Sequence, residues 1–147
     1  MEIKELGEFG LIHRLTKDQP PHQPSTLKGV GDDCAVLSYP DRKVLVTTDM
    51  LMEGIHFDLT YNNMAQLGYK SAMVNLSDIF AMNGQPRQLL VSIALGKRFK
   101  VEDLDDFYRG LHAACDKWGV DVVGGDTCPS LTGLAISITC IGKKKKK

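Results

Sequence analysis

The sequence predicts an α/β domain, an α+β sandwich in which a mixed sheet of four to five strands is covered by two main helices. Three features predict it. Short β-rich runs are bounded by proline or glycine, two longer segments carry apolar residues at helical spacing, and one strand-length run, QLLVSIAL, is apolar almost throughout. The resulting order, ββαβαββ, sets helices over one face of a sheet.

The elements follow in order along the chain. GEFGLIHRLTK reads as a short helix or arm, and the three prolines of DQPPHQPSTLKG prevent its continuation and make a loop. CAVLSY and KVLVTTDML, separated by Pro40 and Asp41, read as a hairpin. Between Asn63 and Met82, Ala72, Met73, Leu76, Ile79 and Phe80 recur at three and four residues, with Asn83-Gly84 as a stop. The other face of this helix carries Ser71, Asn75 and Asp78. Gln88 to Leu95 is the strand apolar on both faces. Val101 to Trp118 places Leu104, Phe107, Leu111, Ala114 and Trp118 on one stripe, begins with acidic residues and ends at Gly119. Asp121-Val122-Val123 then leads into GGDT, and Leu134 to Ile141 forms the last strand.

Length and composition narrow the class. A chain of 147 residues, 43% hydrophobic, has the size and apolar content of one domain with one core. Acidic and basic residues balance at 18 each, but the homopolymeric run Lys143 to Lys147 supplies five of the basic ones. That run reads as an artificial addition and is set aside. The remaining 13 basic against 18 acidic residues give no footprint for nucleic acid. Cys34, Cys115, Cys128 and Cys140 show neither CxxC nor zinc-ligand spacing and read as reduced cytoplasmic thiols. No apolar run approaches the roughly 20 residues of a membrane span.

The informative residues are carboxylates at element ends: Asp32 and Asp33 in GDDCA, Asp49 in TTDML, Asp78 in NLSDI and Asp126 in GGDTC. Each alone is an ordinary turn or cap residue. Together, flanked by glycines and hydroxyls, they are the hard oxygen donors that Mg²⁺ shares with phosphate groups. Glycines beside Asp126 allow backbone N–H groups to approach a phosphate. The P-loop pattern GxxxxGK[ST], the GxGxxG fingerprint and the protein-kinase HRD and DFG signatures are all absent.

The ordered set GEFGLI, GVGDDCAV, VTTDMLMEGIHF, YKSAMVNLSDIFAMNG and GGDT resembles the N-terminal half of the thiamine-monophosphate kinase family, and the resemblance spans residues 5 to 142. That family belongs with aminoimidazole ribonucleotide synthetase, selenophosphate synthetase and a hydrogenase-maturation dehydratase. The resemblance implies an N-terminal domain over residues 1–142 that binds ATP and several Mg²⁺ ions, with the C-terminal half of such enzymes absent. It also implies a homodimer in which the sheets of two protomers form a shared barrel, and phosphoryl transfer from ATP to thiamine monophosphate, giving thiamine diphosphate. On its motifs Asp33, Thr47, Thr48, Asp49, Asp78 and Asp126 form the magnesium shell. Tyr108, Gly125 and Asp126 contact ATP, and His56 approaches the phosphate of the substrate. No covalent nucleophile is implied.

Plainer readings stand beside these. His56 also suits a strand end, Tyr108 a half-exposed helix aromatic, Asp32 a loop cap, Trp118 core packing, and Glu102 to Asp106 a solvated helix start. Another ATP-using member of the superfamily, or a metal-binding dimerisation module without catalysis, fits the same carboxylates. Selenophosphate synthetase is disfavoured, because residues 1 to 31 hold no cysteine.

Overall fold

The computed structural model describes residues 2–60 and 63–146. Helix α1 (Ile3–Thr16) is followed by strands β1 (Thr26–Lys28), β2 (Ala35–Tyr39) and β3 (Arg42–Met52). Helix α2 (Met64–Ala81), β4 (Gly84–Leu95), α3 (Val101–Trp118), β5 (Asp121–Pro129) and β6 (Ala135–Lys144) complete it. The six strands form one mixed sheet in the order β1-β2-β3-β6-β4-β5.

Three expectations need correction. The sheet has six strands rather than four or five, because β1 lies in the stretch whose prolines read as pure loop; its backbone pairs Thr26 with Leu37 and Lys28 with Val36. β4 begins at Gly84, four residues before the expected start, with Pro86 tolerated inside the strand and a register shift immediately after it. Finally, β6 continues through Lys144, with Lys143 opposite Val44 and Lys144 opposite Gly84, so the first two lysines of the terminal run belong to the sheet.

The β2–β3 hairpin turns at Pro40-Asp41, as read, and pairs Tyr39 with Arg42. β3 and β4 both run antiparallel to β6, which lies between them. They are therefore parallel to each other, and α2 is the crossover that such a pair requires. β4 and β5 are parallel neighbours joined through α3.

Alternation along the strands sorts the side chains onto two faces. Leu45, Leu89, Val91, Ile136 and Ile138 are buried beneath the helices, against Leu76 and Ile79 of α2 and Phe107 and Leu111 of α3. The opposite face carries no helix, and Met50 there is 60% exposed. Helix α2 starts with a reciprocal cap: Asn63 Oδ1 accepts from Gln66 N at 2.7 Å, and Gln66 Oε1 accepts from Asn63 N at 3.1 Å. Trp118, expected in the core, is 40% exposed at the end of α3 and meets Phe80 edge to face at 5.0 Å.

Helices α2 and α3 pack backbone to backbone. A Cβ at Gly110 would run into the Ala65 carbonyl, and one at Gly68 into the Phe107 carbonyl. Helix α1 is bent at Gly7, which has φ +71°, and none of its residues is buried; Phe9 is 83% exposed. No described helix is long and apolar enough to cross a membrane.

Beyond β3, Glu53 ties two loops together. Its Oε1 accepts from Leu134 N at 2.9 Å, and its other oxygen pairs with Arg98. The Arg98 hydrogen bond, and after it the Leu134 N–H, hold this carboxyl below its ordinary 4.5 despite partial burial. A lowered native value gives stability that is present above 4.5 and lost as the pH falls through the native value. Glu53→Gln should cost about 1 kcal/mol at neutral pH, a modest figure because Arg98 is well solvated. Urea unfolding should show the gap to the parent closing in acid.

Candidate functional site

Two strands and one helix bring a cluster of carboxylates together. Residues 31–33 lead into β2, Thr47 and Asp49 lie on the helix-covered face of β3, and Asp78 faces them from α2. The Thr47 hydroxyl reaches both the Asp33 carbonyl at 3.1 Å and Asp78 Oδ2 at 3.4 Å. One residue along, the Cys34 thiol donates to the Asp78 carbonyl at 3.3 Å. Asp33, Thr47, Asp49 and Asp78 are thus neighbours, although the first and last lie 45 positions apart in sequence.

The electrostatics are those of a site lacking counter-charge. Asp49 Oδ2 is buried and has no hydrogen-bond partner among the described residues. Burial first, and then the hydrogen bond and charge of Asp78 with a further push from Glu8 of α1, raise the Asp49 carboxyl from 3.8 to about 7. Among the described residues, the ion pairs are Lys4–Glu2, Lys28–Asp32, Arg98–Glu53 and Arg109–Asp106, and none reaches Asp33, Asp49 or Asp78. Burial also lifts the Cys34 thiol to about 11, helped by Asp78 and Asp33, which leaves it protonated and a poor nucleophile.

The donor set fits a hard divalent cation, since an orphaned buried carboxylate oxygen beside a second carboxylate is what a cation would neutralise. The described side chains do not close into a finished cage; no group of three or more His, Cys, Asp or Glu is already gathered at ligand distance among them. The carboxylate of Asp33 is exposed, and its neighbour Asp32 pairs with Lys28 at 3.1 Å. Asp32 Oδ1 also accepts from Asp33 N at 2.8 Å, and these two partners, the Asp33 N–H foremost, hold the Asp32 carboxyl below 3.8. The loop-cap reading of Asp32 is the observed one.

The other anticipated residues lie elsewhere. Thr48 points to the open face of the sheet, where its hydroxyl donates to the Ile138 carbonyl at 3.1 Å and accepts from Thr139 at 3.1 Å. Asp126 is opposite Ser92 on the edge strand β5, exposed, with Oδ1 accepting from Thr127 N at 2.9 Å. A shallow cavity of about 130 Å³ adjoins it on the open face, lined by Met50, Ser92, Ala94, Cys128 and Ser137. Gly125 has φ +151°, and a Cβ there would strike the Val91 backbone, so β5 needs glycine for strand packing as well.

His56 sits in the turn after β3. Its Nδ1 accepts from Met52 N at 2.9 Å, which in the neutral ring leaves the proton on Nε2 as a donor. Lys70 donates to the His56 carbonyl at 2.9 Å. Tyr108 is half-buried on α3, with Phe107 at 5.7 Å and His112 at 5.9 Å between ring centres; burial raises its phenol above 10.

Sequence reasoning left Asn75 without a role. Ser71 and Asn75 are fully buried, so the polar stripe of α2 is not a solvent face. The signal was the presence of three polar residues at helical spacing ending in Asp78.

A mixed sheet with helices on one face, an acidic cluster at the α2–β3 contact and a glycine-rich edge strand define an N-terminal domain of the AIR synthase type. The family model "AIR synthase related protein, N-terminal domain" matches residues 31–143, more than half of the chain, and the chain belongs to that family. Within it, the chain is similar to the thiamine-monophosphate kinase of Aquifex aeolicus (strain VF5), at 38% identity over 146 residues, covering 99% of this chain and 45% of the relative. The thiamine-monophosphate kinase of Bacillus subtilis (strain 168) is 34% identical over 142 residues, 96% of this chain and 43% of the relative. The solved structure of AaThiL complexed with AMPPCP and TMP superposes with a TM-score of 0.85 at 38% identity, covering 97% of this chain and 44% of that one. The chain therefore spans a little under half the length of these relatives.

Proposed function

We propose that this chain is the ATP- and metal-binding half of a thiamine-monophosphate kinase, which transfers the γ-phosphoryl group of ATP to thiamine monophosphate. The observation that carries this reading is Asp49, beside Asp78, with a buried oxygen that lacks a partner among the described residues. Similarity to kinases over almost the whole chain, and to a structure holding AMPPCP and TMP, supports the choice of substrates.

Each residue has a role its surroundings support. Asp49 and Asp78, with Asp33 and the Thr47 hydroxyl, would hold Mg²⁺. Magnesium, when bound, neutralises charge as one phosphate approaches another. His56 offers its Nε2 proton to an anionic oxygen of the substrate, with Nδ1 anchored on Met52. Gly125 and Asp126 meet the nucleotide at the edge strand β5. The thiols take no part, since Cys34 stays protonated.

The uncovered sheet face supports a homodimer formed through it. Nothing in the charge balance supports nucleic acid as a partner, and a cytoplasmic enzyme accords with the four free thiols.

The test is formation of thiamine diphosphate from thiamine monophosphate, ATP and Mg²⁺ by the whole protein that carries this domain. Mg²⁺-dependent product is the expected result. A folded protein that binds ATP yet leaves thiamine monophosphate unchanged would remove the substrate and keep the fold.

A further inference from the structure

We infer that Asn75 is an additional oxygen ligand of the cation held by Asp49 and Asp78, supplied from inside the protein where solvent does not reach. The inference rests on the cation reading above and adds to it a residue from one helical turn before Asp78.

The amide is 1% exposed, and its Oδ1 has no hydrogen-bond partner among the described residues. Its orientation is fixed by chemistry. Nδ2 donates to the Ser71 carbonyl at 3.0 Å, and a carbonyl can only accept, so the free atom must be the oxygen. Ser71 offers nothing in return, because its hydroxyl is committed to the Leu67 carbonyl at 2.7 Å. Residues 71, 75 and 78 fall within one narrow stripe of α2, and Asp78 on that stripe reaches Thr47 on β3.

Asn75 Oδ1 and Asp49 Oδ2 are thus the two buried side-chain acceptors without a partner among the described residues, one on each of the two elements that meet at Asp78. Two orphaned acceptors cannot satisfy each other, since neither brings a proton. A divalent cation satisfies both. An amide oxygen supplies coordination without adding a third negative charge, and carbonyl oxygen suits Mg²⁺ and Mn²⁺ alike.

The experiment is titration of the 147-residue chain with Mn²⁺ alone, followed by calorimetry and by the loss of the free Mn²⁺ resonance signal. Asn75→Leu, which keeps the volume and removes the oxygen, should weaken Mn²⁺ binding about 10- to 100-fold. Asn75→Asp should retain it. Without metal, Asn75→Leu should melt no lower than the parent, whereas a residue that merely braced α2 would show a loss. Equal Mn²⁺ affinity in Asn75→Leu and parent, with Asp49→Asn impaired, overturns the role of Asn75 and leaves the acidic site standing. A parent that takes up no Mn²⁺ overturns the inference as well, and thiamine diphosphate formation by the whole protein then decides separately whether the kinase reading survives.

Discussion

We expect replacement of Asp49 by Asn to raise the melting temperature of the metal-free chain and to abolish the response to Mg²⁺ that the proposed site would give. Both effects have one cause. In the parent, a carboxylate is buried beside Asp78 with one oxygen unsatisfied, and it is driven to about 7 by burial, by Asp78 and by Glu8. The amide removes the like charge and brings a donor to Asp78, a gain of about 1–3 kcal/mol without metal, the usual cost of an unsatisfied buried polar group. For a domain of this size that is several degrees in melting temperature.

The pH dependence carries a definite sign. Asp49 is protonated in the folded chain at pH values where the unfolded chain, at 3.8, has already released the proton. Its contribution is complete below 3.8 and is lost as the pH rises to about 7, so the metal-free parent weakens across that window. Asp49→Asn flattens this part of the profile, and saturating Mg²⁺ does the same for the parent by favouring the charged form. Melting curves across the window, with and without Mg²⁺, test this. A variant that lost stability in the metal-free state, or a parent indifferent to both pH and Mg²⁺, would refute the account.

The second large effect belongs to the helix pair. Gly110→Ala drives a methyl group into the Ala65 carbonyl, and Gly68→Ala drives one into the Phe107 carbonyl. Backbone cannot step aside as a flexible side chain can, so α2 and α3 must separate. We expect about 3 kcal/mol or more for either substitution, at the upper end of overpacking costs. Gly124→Ala is the control, because a Cβ there meets Leu90 Cδ2 at 3.6 Å, an ordinary contact. Denaturant midpoints of the three variants should fall into two groups, with Gly124→Ala near the parent.

The helices and the long strands were legible because their patterns are long and strongly periodic. The Asn83-Gly84 stop, the Pro40-Asp41 turn and the apolar run of β4 leave few alternatives. β1 was not legible, since three residues between prolines and a glycine carry no period, and only pairing with β2 makes them a strand. Thr47 and Thr48 show a different limit. Adjacent residues in a strand face opposite ways, so a motif that reads TTD divides between two surfaces once it is extended. Asn75 was hidden for the converse reason, because a polar stripe suggests solvent until a second helix and a sheet enclose it.

The position of β6 bears on how the chain is made. It follows the other five strands in sequence, yet it lies in the middle of the sheet, between β3 and β4. As the polypeptide leaves the ribosome, the β1–β3 group and the β4–β5 group have no shared hydrogen bonds until residues 135–144 arrive to join them. Until then the inner edges of β3 and β4 stand open to any extended segment nearby. Such long-range closure is slow compared with local helix formation. A nascent chain stalled before residue 135 would therefore be a target for chaperones, although every residue of its acidic cluster had already been made.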